Sequence, residues 1–283
     1  MKPITVFYTP KMVADSLSAS PSAAKPVKVV ESWKRQFNIE IVEPAPVTVD
    51  ELSRAHDPIF VKDILNCVEL NGFGNTSPEV AASLPYTSGA MLSGARHAIK
   101  TGGVAAAPCS GFHHAGPYRA EGFCTFNGLM VTALALREEG VKRVGILDFD
   151  MHYGNGTDDI IETLHDKSWI RHFTAGKHFQ FETQVSDFFH NLPAILSSFY
   201  GCDVLLYQAG ADPHIDDPYG GWMTTYEMKT RDAKVFDAMS HMQIPVVWNL
   251  AGGYQVEKDG SIPKVLQIHD NTMHECVRVY GDR

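Results

Sequence analysis

Residues 146–157, ILDFDMHYGNGT, continue an apolar strand pattern over 144–149 straight into a polar cluster with two glycines. Asp148, Asp150 and His152 fall at every second position. Side chains of extended backbone alternate with period two, so all three can project from the same side of the strand's end. Two carboxylates and an imidazole converging there suggest a divalent metal. Taken alone, the triplet reads equally well as a polar strand end followed by an Asn155-Gly156 turn, and the rest of the chain has to decide.

Outward from this strand, strand-like runs at 4–8, 39–42, 104–107, 169–174, 204–207 and 245–250 alternate with helical patterns. The helical patterns lie at 27–37, 48–52, 58–70, 87–100, 127–140, 158–165, 185–199 and 226–242, and the Ser/Ala/Pro-rich 15–26 and Gly/Asn/Ser/Pro-rich 71–78 read as loops. Parallel strands need crossover connections, so the alternation predicts an α/β fold with one mostly parallel sheet flanked by helices on both faces. No linker separates the segments, which predicts one domain over 1–283. In such sheets ligands bind beyond the carboxyl ends of the strands, and the polar clusters obey that rule. His113-His114 follows one strand, Asp148–His152 ends the next, Asp212 follows the third, and Gly252-Gly253-Tyr254 follows the fourth.

Composition bounds the partners. With 44% hydrophobic residues the 283-residue chain can bury a sizeable core. Lys and Arg total 24 against 33 Asp and Glu, a formal charge of -9 with no long basic run, which argues against direct nucleic-acid binding. The N-terminal MKPITVFYTP lacks the apolar stretch of a secretory signal and no segment approaches a membrane span, so a cytoplasmic location without membrane contact is the expectation. The five cysteines include no Cys-x-x-Cys pair, so neither a disulfide framework nor a thiolate zinc site is indicated.

Asp150, His152 and Asp212 would give two oxygen donors and one nitrogen donor with positions left open for water and substrate, as a catalytic zinc requires. Iron or cobalt would also accept this set. Adjacent histidines at a strand end are hard to justify as packing, because each buried imidazole needs its own partner; beside a metal, His113 and His114 suit acid/base work. Tyr254, after two glycines, reads alone as a turn aromatic, and beside a metal it suits a phenol that stabilises an oxyanion.

Taken together, GFHHA (111–115), EGFCTFN (121–127), ILDFDMHYGNGT (146–157), AGADPHIDDPYGG (209–221) and LAGGY (250–254) resemble, in order, the signatures of the histone deacetylase superfamily, including acetylpolyamine amidohydrolases. The resemblance implies the arginase-deacetylase fold and zinc-dependent hydrolysis of an acylated amine, on a lysine or a small molecule, by metal-activated water. It implies Asp150, His152 and Asp212 as the ligands of one Zn2+, Asp148 as the partner of His113, and Asn155 as the partner of His114. A carboxylate partner stabilises imidazolium whereas an amide does not, so His114 is expected to be the neutral base and later acid, with His113 in an electrostatic role. Gly122 and Phe123 match a wall of the acyl-lysine tunnel, with Phe179 or Phe181 as candidates for the second wall. The resemblance also implies a K+ site at Asp148 and the backbone around Asp150 and His152, completed from the strand near Thr174.

Tyr153 and Tyr219 depart from the family pattern, and Tyr219 is a candidate substrate contact at the rim. A homo-oligomer is the default assembly. Two other readings share part of the pattern: a catalytically silent acyl-lysine binder, and an arginase-like ureohydrolase, which would need further carboxylates for a second metal.

Overall fold

The computed structural model describes residues 2–282. Seven strands form one sheet: β1 (Ile4–Phe7), β2 (Ile39–Val42), β3 (Val104–Ala107), β4 (Val144–Asp148), β5 (Ile170–Thr174), β6 (Val204–Gln208) and β7 (Val246–Asn249). Their order is β2-β1-β3-β7-β6-β4-β5, and every neighbouring pair is parallel. The helices are α1 (Lys25–Gln36), α2 (Val49–Ser53), α3 (Pro58–Leu65), α4 (Pro78–Thr101), α5 (Gly128–Glu138), α6 (Asn155–Thr163), α7 (Val185–Ser197), α8 (Thr225–His241) and α9 (Pro263–Tyr280). Among the described residues no helix is long and apolar enough to cross a membrane.

The four strands that precede the polar clusters, β3, β7, β6 and β4, are consecutive in the sheet and buried along their whole length. Strands that are apolar on both faces, such as VLLYQ and VVWN, must be covered on both faces, which is the arrangement that crossover helices provide. Register then fixes the site. Ala107 pairs with Asn249, Asn249 with Gln208, and Gln208 with Asp148, so the carboxyl ends of all four strands lie in one row. A polar chain runs along that row: Asn249 Nδ2 donates to Gln208 Oε1 (3.4 Å), and Gln208 Nε2 donates to Asp148 Oδ1 (3.2 Å).

The helices depart from those expected from the sequence, and α3 ends at Leu65 rather than at residue 70. α4 starts at Pro78 rather than Thr87, because Ser77 caps it by accepting from Val80 N–H and Pro78 suits the first turn; the helix then continues through Pro85. α6 starts at Asn155, three residues early, so the residues read as a turn form its first turn. α9 is unexpected from the sequence, which predicts no element after residue 250. Its buried positions Val265, Ile268, Thr272, Met273 and Cys276 follow helical spacing, but the intervening polar residues dilute the pattern.

Candidate metal centre and active site

Asp150 and His152 leave the end of β4, Asp212 leaves the end of β6, and one donor atom from each lies within 4.8 Å of the others. His152 Nδ1 faces both carboxylates, at 3.2 Å from Asp150 Oδ1 and 3.0 Å from Asp212 Oδ2. Its Nε2 lies 3.2 Å from the Tyr219 carbonyl. A proton on Nε2 satisfies that carbonyl and leaves Nδ1 free to bind a cation, the usual outer-shell orientation of a metal-binding histidine. Asp150 is held in place by backbone: its Oδ2 accepts from Gly252 N–H (2.8 Å) and its Oδ1 from His152 N–H (2.9 Å). Gly252 permits this approach, since a Cβ there would stand 2.4 Å from Asp212 Oδ2.

The charges of this donor set call for a cation. Asp150 and Asp212 are both buried. Burial, and then the charge of Asp150, pushes the Asp212 carboxyl up to about 8. Burial also opposes a charged His152, yet hydrogen bonds to Asp150 and Asp212 raise it to about 11. A proton held among two buried carboxylates stands where a divalent cation would neutralise both, so the residues fit one zinc-type ion held by one nitrogen and two oxygens.

Beside this centre stand two histidine dyads. His113 Nδ1 lies 2.8 Å from Asp148 Oδ2, and its Nε2 lies 3.6 Å from Asp150 Oδ1. Burial disfavours its charge, but Asp148, Asp150 and Asp212 together outweigh burial and raise it to about 9. His114 Nδ1 lies 2.7 Å from Asn155 Oδ1. Burial, and then the His113 charge, lowers His114 to about 4, against a weaker upward pull from the Asn155 hydrogen bond. The Asp148 carboxylate, assigned by resemblance to a K+ site as well, is engaged by His113, Gln208 Nε2 and Asp150 N–H.

Aromatic rings close the mouth. Phe123 lies 5.5 Å from Tyr254 and 6.0 Å from Tyr219, and Tyr219 lies 4.9 Å from Tyr254. Burial, then Asp150 and Asp212, raises the Tyr254 phenol well above its ordinary value, so it stays a proton donor. The remaining ring beside Phe123 is Phe73, at 5.9 Å. Of the second-wall candidates, Phe179 packs against Phe188 and Trp222 while Phe181 is 65% exposed. Three non-glycine residues of these loops have left-handed backbone, Phe112 (φ 95°), Phe123 (62°) and Ala251 (50°), a costly conformation that packing must impose.

Several supporting residues escaped the sequence reading. Lys25 is fully buried and donates to the carbonyls of Ala251 (2.7 Å) and Gly252 (2.9 Å), fixing the turn that leads to Tyr254. Burial lowers its ammonium to about 8, against the pull of Asp212, Asp150 and Asp217. Asp217 Oδ2 accepts from Tyr254 N–H (2.8 Å) and Oδ1 from Tyr219 N–H (3.1 Å), so one carboxylate positions both rim tyrosines. Arg231 Nη1 donates to the carbonyls of Phe149 and Gly210, both at 3.1 Å, tying the β4 and β6 ends together. His56 Nδ1 lies 2.8 Å from the Gly116 carbonyl and its Nε2 accepts from Asn127 N–H (2.9 Å), bracing the loop that carries the histidine pair. Only Asp217, one of a doubled aspartate inside a quoted motif, offered a local signal.

A family model described as "Histone deacetylase domain" matches residues 20–181, more than half of the chain. "Histone deacetylase 14, chloroplastic" of Arabidopsis thaliana is 26% identical over 266 residues, covering 77% of this chain and 63% of its own length. "Acetylpolyamine amidohydrolase 1" of Pseudomonas aeruginosa is 25% identical over 187 residues, covering 56% of this chain and 53% of its own. The chain thus spans less than two thirds of either relative. Among solved structures, the HDA15 HD domain superposes with a TM-score of 0.77 at 16% identity, covering 98% of this chain and 90% of that one. The acetylpolyamine aminohydrolase of Burkholderia pseudomallei gives 0.74 at 15% identity, covering 98% and 99%. These likenesses establish the arginase-deacetylase fold, and with the match of the family model the chain belongs to the histone deacetylase family.

Proposed function

We propose that residues 1–283 form one catalytic domain, a zinc-dependent amidohydrolase that removes an acetyl or other acyl group from an acylated lysine or small-molecule amine. The observation that carries this reading is the convergence of Asp150, His152 and Asp212 beside His113, which faces a carboxylate, and His114, which faces an amide. Zinc, when bound by these three residues, supplies Lewis-acid polarisation of the acyl carbonyl and activation of the attacking water.

The protein's own groups carry the proton and the charge. His114, neutral at physiological pH, accepts a proton from the attacking water at Nε2 as the water oxygen bonds to the acyl carbon. His113, charged through Asp148, faces the negative charge that develops nearby. The Tyr254 hydroxyl donates a hydrogen bond to the carbonyl oxygen as it becomes an oxyanion. His114 then returns its proton to the leaving nitrogen, the C–N bond breaks, and one carboxylic acid, which keeps the second proton of the water, and one amine result. Phe123, Tyr219 and Tyr254 line the approach and exclude bulk water.

A turnover panel of acetyl-lysine peptides, longer acyl-lysines and acetylated polyamines tests the reading with the zinc-loaded protein. Removing a preorganised oxyanion donor costs about 100- to 1000-fold in kcat, so Tyr254→Phe is expected to lose that much while keeping its zinc. Tight binding of an acyl-lysine by the zinc-loaded protein without turnover would favour a silent binder instead.

A further inference from the structure

Asn155, in the first turn of α6, lies between two partners: its Oδ1 is 2.7 Å from His114 Nδ1, and its Nδ2 is 2.6 Å from Glu121 Oε1. An amide has one accepting and one donating end, and nothing in the group itself chooses which end faces the histidine. An ionised carboxylate only accepts. Facing Glu121, the amide gains a hydrogen bond in one orientation and sets oxygen against oxygen in the other. The favoured orientation presents Oδ1 to His114, so Nδ1 must carry the proton and Nε2 is left with its lone pair.

Local backbone explains why a carboxylate stands there. Glu121 and Cys124 exchange both backbone hydrogen bonds, Glu121 N–H to Cys124 O at 3.1 Å and Cys124 N–H to Glu121 O at 2.9 Å. Between them Gly122 (φ 57°) and Phe123 (φ 62°) are both left-handed, as in the tight two-residue turns of hairpins. A Cβ at Gly122 would stand 2.4 Å from His114 Cδ2, so this backbone lies directly on the imidazole. Arg119 locks the arrangement from outside, pairing with Glu121 and with Asp159 on α6, the helix that carries Asn155. One turn thus seats the His114 ring, points Phe123 into the mouth and delivers the Glu121 carboxylate to the Asn155 amide.

We propose that Glu121 is a positioning residue for the reaction: by accepting from Asn155 Nδ2 it fixes the amide orientation and with it the Nδ1-protonated tautomer of His114. The proposal rests on the reading of His114 as the proton acceptor. It gives this dyad a carboxylate at one remove, which orders the imidazole without standing against it as Asp148 stands against His113.

The test compares wild type, Glu121→Ala and Glu121→Gln by side-chain nitrogen NMR of His114 in the zinc-loaded full chain, together with steady-state kinetics. Wild type is expected to show the Nδ1-protonated tautomer alone and Glu121→Ala a mixture, with Glu121→Gln, which keeps an acceptor, largely restoring the single form. The corresponding loss for Glu121→Ala is about 3- to 10-fold in kcat, the size expected for one partly exposed charged hydrogen bond, with KM within about twofold. An aspartate presents an acceptor whichever way it faces, so in an Asn155→Asp background Glu121→Ala should cost nothing further. An unchanged tautomer in Glu121→Ala, or the same kinetic loss in both backgrounds, would overturn the proposal in favour of a role confined to holding the turn. If wild type turns over no acyl-amine, the catalytic reading fails while the tautomer measurement still decides the part played by Glu121.

Discussion

His113 and His114 are adjacent in the chain, with ring centroids 4.1 Å apart, and the fold gives them opposite electrostatics. His113 is buried against the carboxylate of Asp148, with Asp150 and Asp212 behind it, and is raised to about 9. His114 Nδ1 faces the amide of Asn155, and the ring is lowered to about 4 by burial and by its neighbour's charge. Carboxylates around one ring outweigh its burial, whereas an amide at the other does not. The comparison shows how a site built from two identical side chains can assign them two tasks: each charge state is set by what stands behind the ring, and the charged one helps to keep the other neutral.

The largest expected effect follows from that division. A positioned general base contributes about 100- to 10,000-fold, so His114→Ala should lower kcat/KM on a turned-over acyl-amine by that order. His113→Ala should lower it less, because it removes a charge rather than the proton carrier. The two variants measured side by side break the comparison if the order is reversed.

A stability effect comes next, on a third histidine that serves as a control. His56 is buried and neutral, lowered to about 4 by burial against the upward pull of its bond to the Gly116 carbonyl. Its folded value lies below the unfolded one near 6.5, so its contribution is fully present above about pH 6.5 and is lost as pH falls toward 4. That window is worth about 3 kcal/mol for this group alone. Urea unfolding across it should show a shallower pH dependence in His56→Gln than in wild type; equal slopes would contradict the neutral, bridging assignment.

Asn155→Asp is the subtlest change and the one that sharpens the comparison most. A carboxylate behind His114 would raise its pKa, and since the base must be neutral, activity should fail on the acid side at a higher pH than in wild type. A pH profile of kcat/KM whose acid limb stays put would show that the partner does not set the state of His114.

The same contrast runs through what could be read from the sequence. Asp148, Asp150 and His152 share one short strand end, so alternation alone presented them as candidates, and the strand–helix rhythm was enough for a parallel α/β sheet. Lys25, His56 and Glu121 left no such trace. Lys25 opens a helix 226 residues from the carbonyl it holds, and its Ser/Ala/Pro-rich surroundings have the composition of a loop. His56 acts only through two backbone groups brought to it by the fold. Glu121 lies inside a quoted motif, yet its meaning depends on a two-residue turn in which Phe123 adopts a conformation that its side chain disfavours. α9 is hidden for a related reason: its apolar positions have the right period, but the polar residues between them dilute it.

Everything proposed for this site depends on Asp150, His152 and Asp212 holding one catalytic zinc ion. Metal analysis after chelation and readdition, coupled to turnover of a fluorogenic acetyl-lysine substrate, tests it most directly. The expected result is one zinc per chain, activity lost on chelation and restored with that one equivalent, and neither bound zinc nor activity in Asp212→Asn. Full turnover by the chelated protein, or zinc bound with wild-type stoichiometry and affinity by Asp212→Asn, would contradict it.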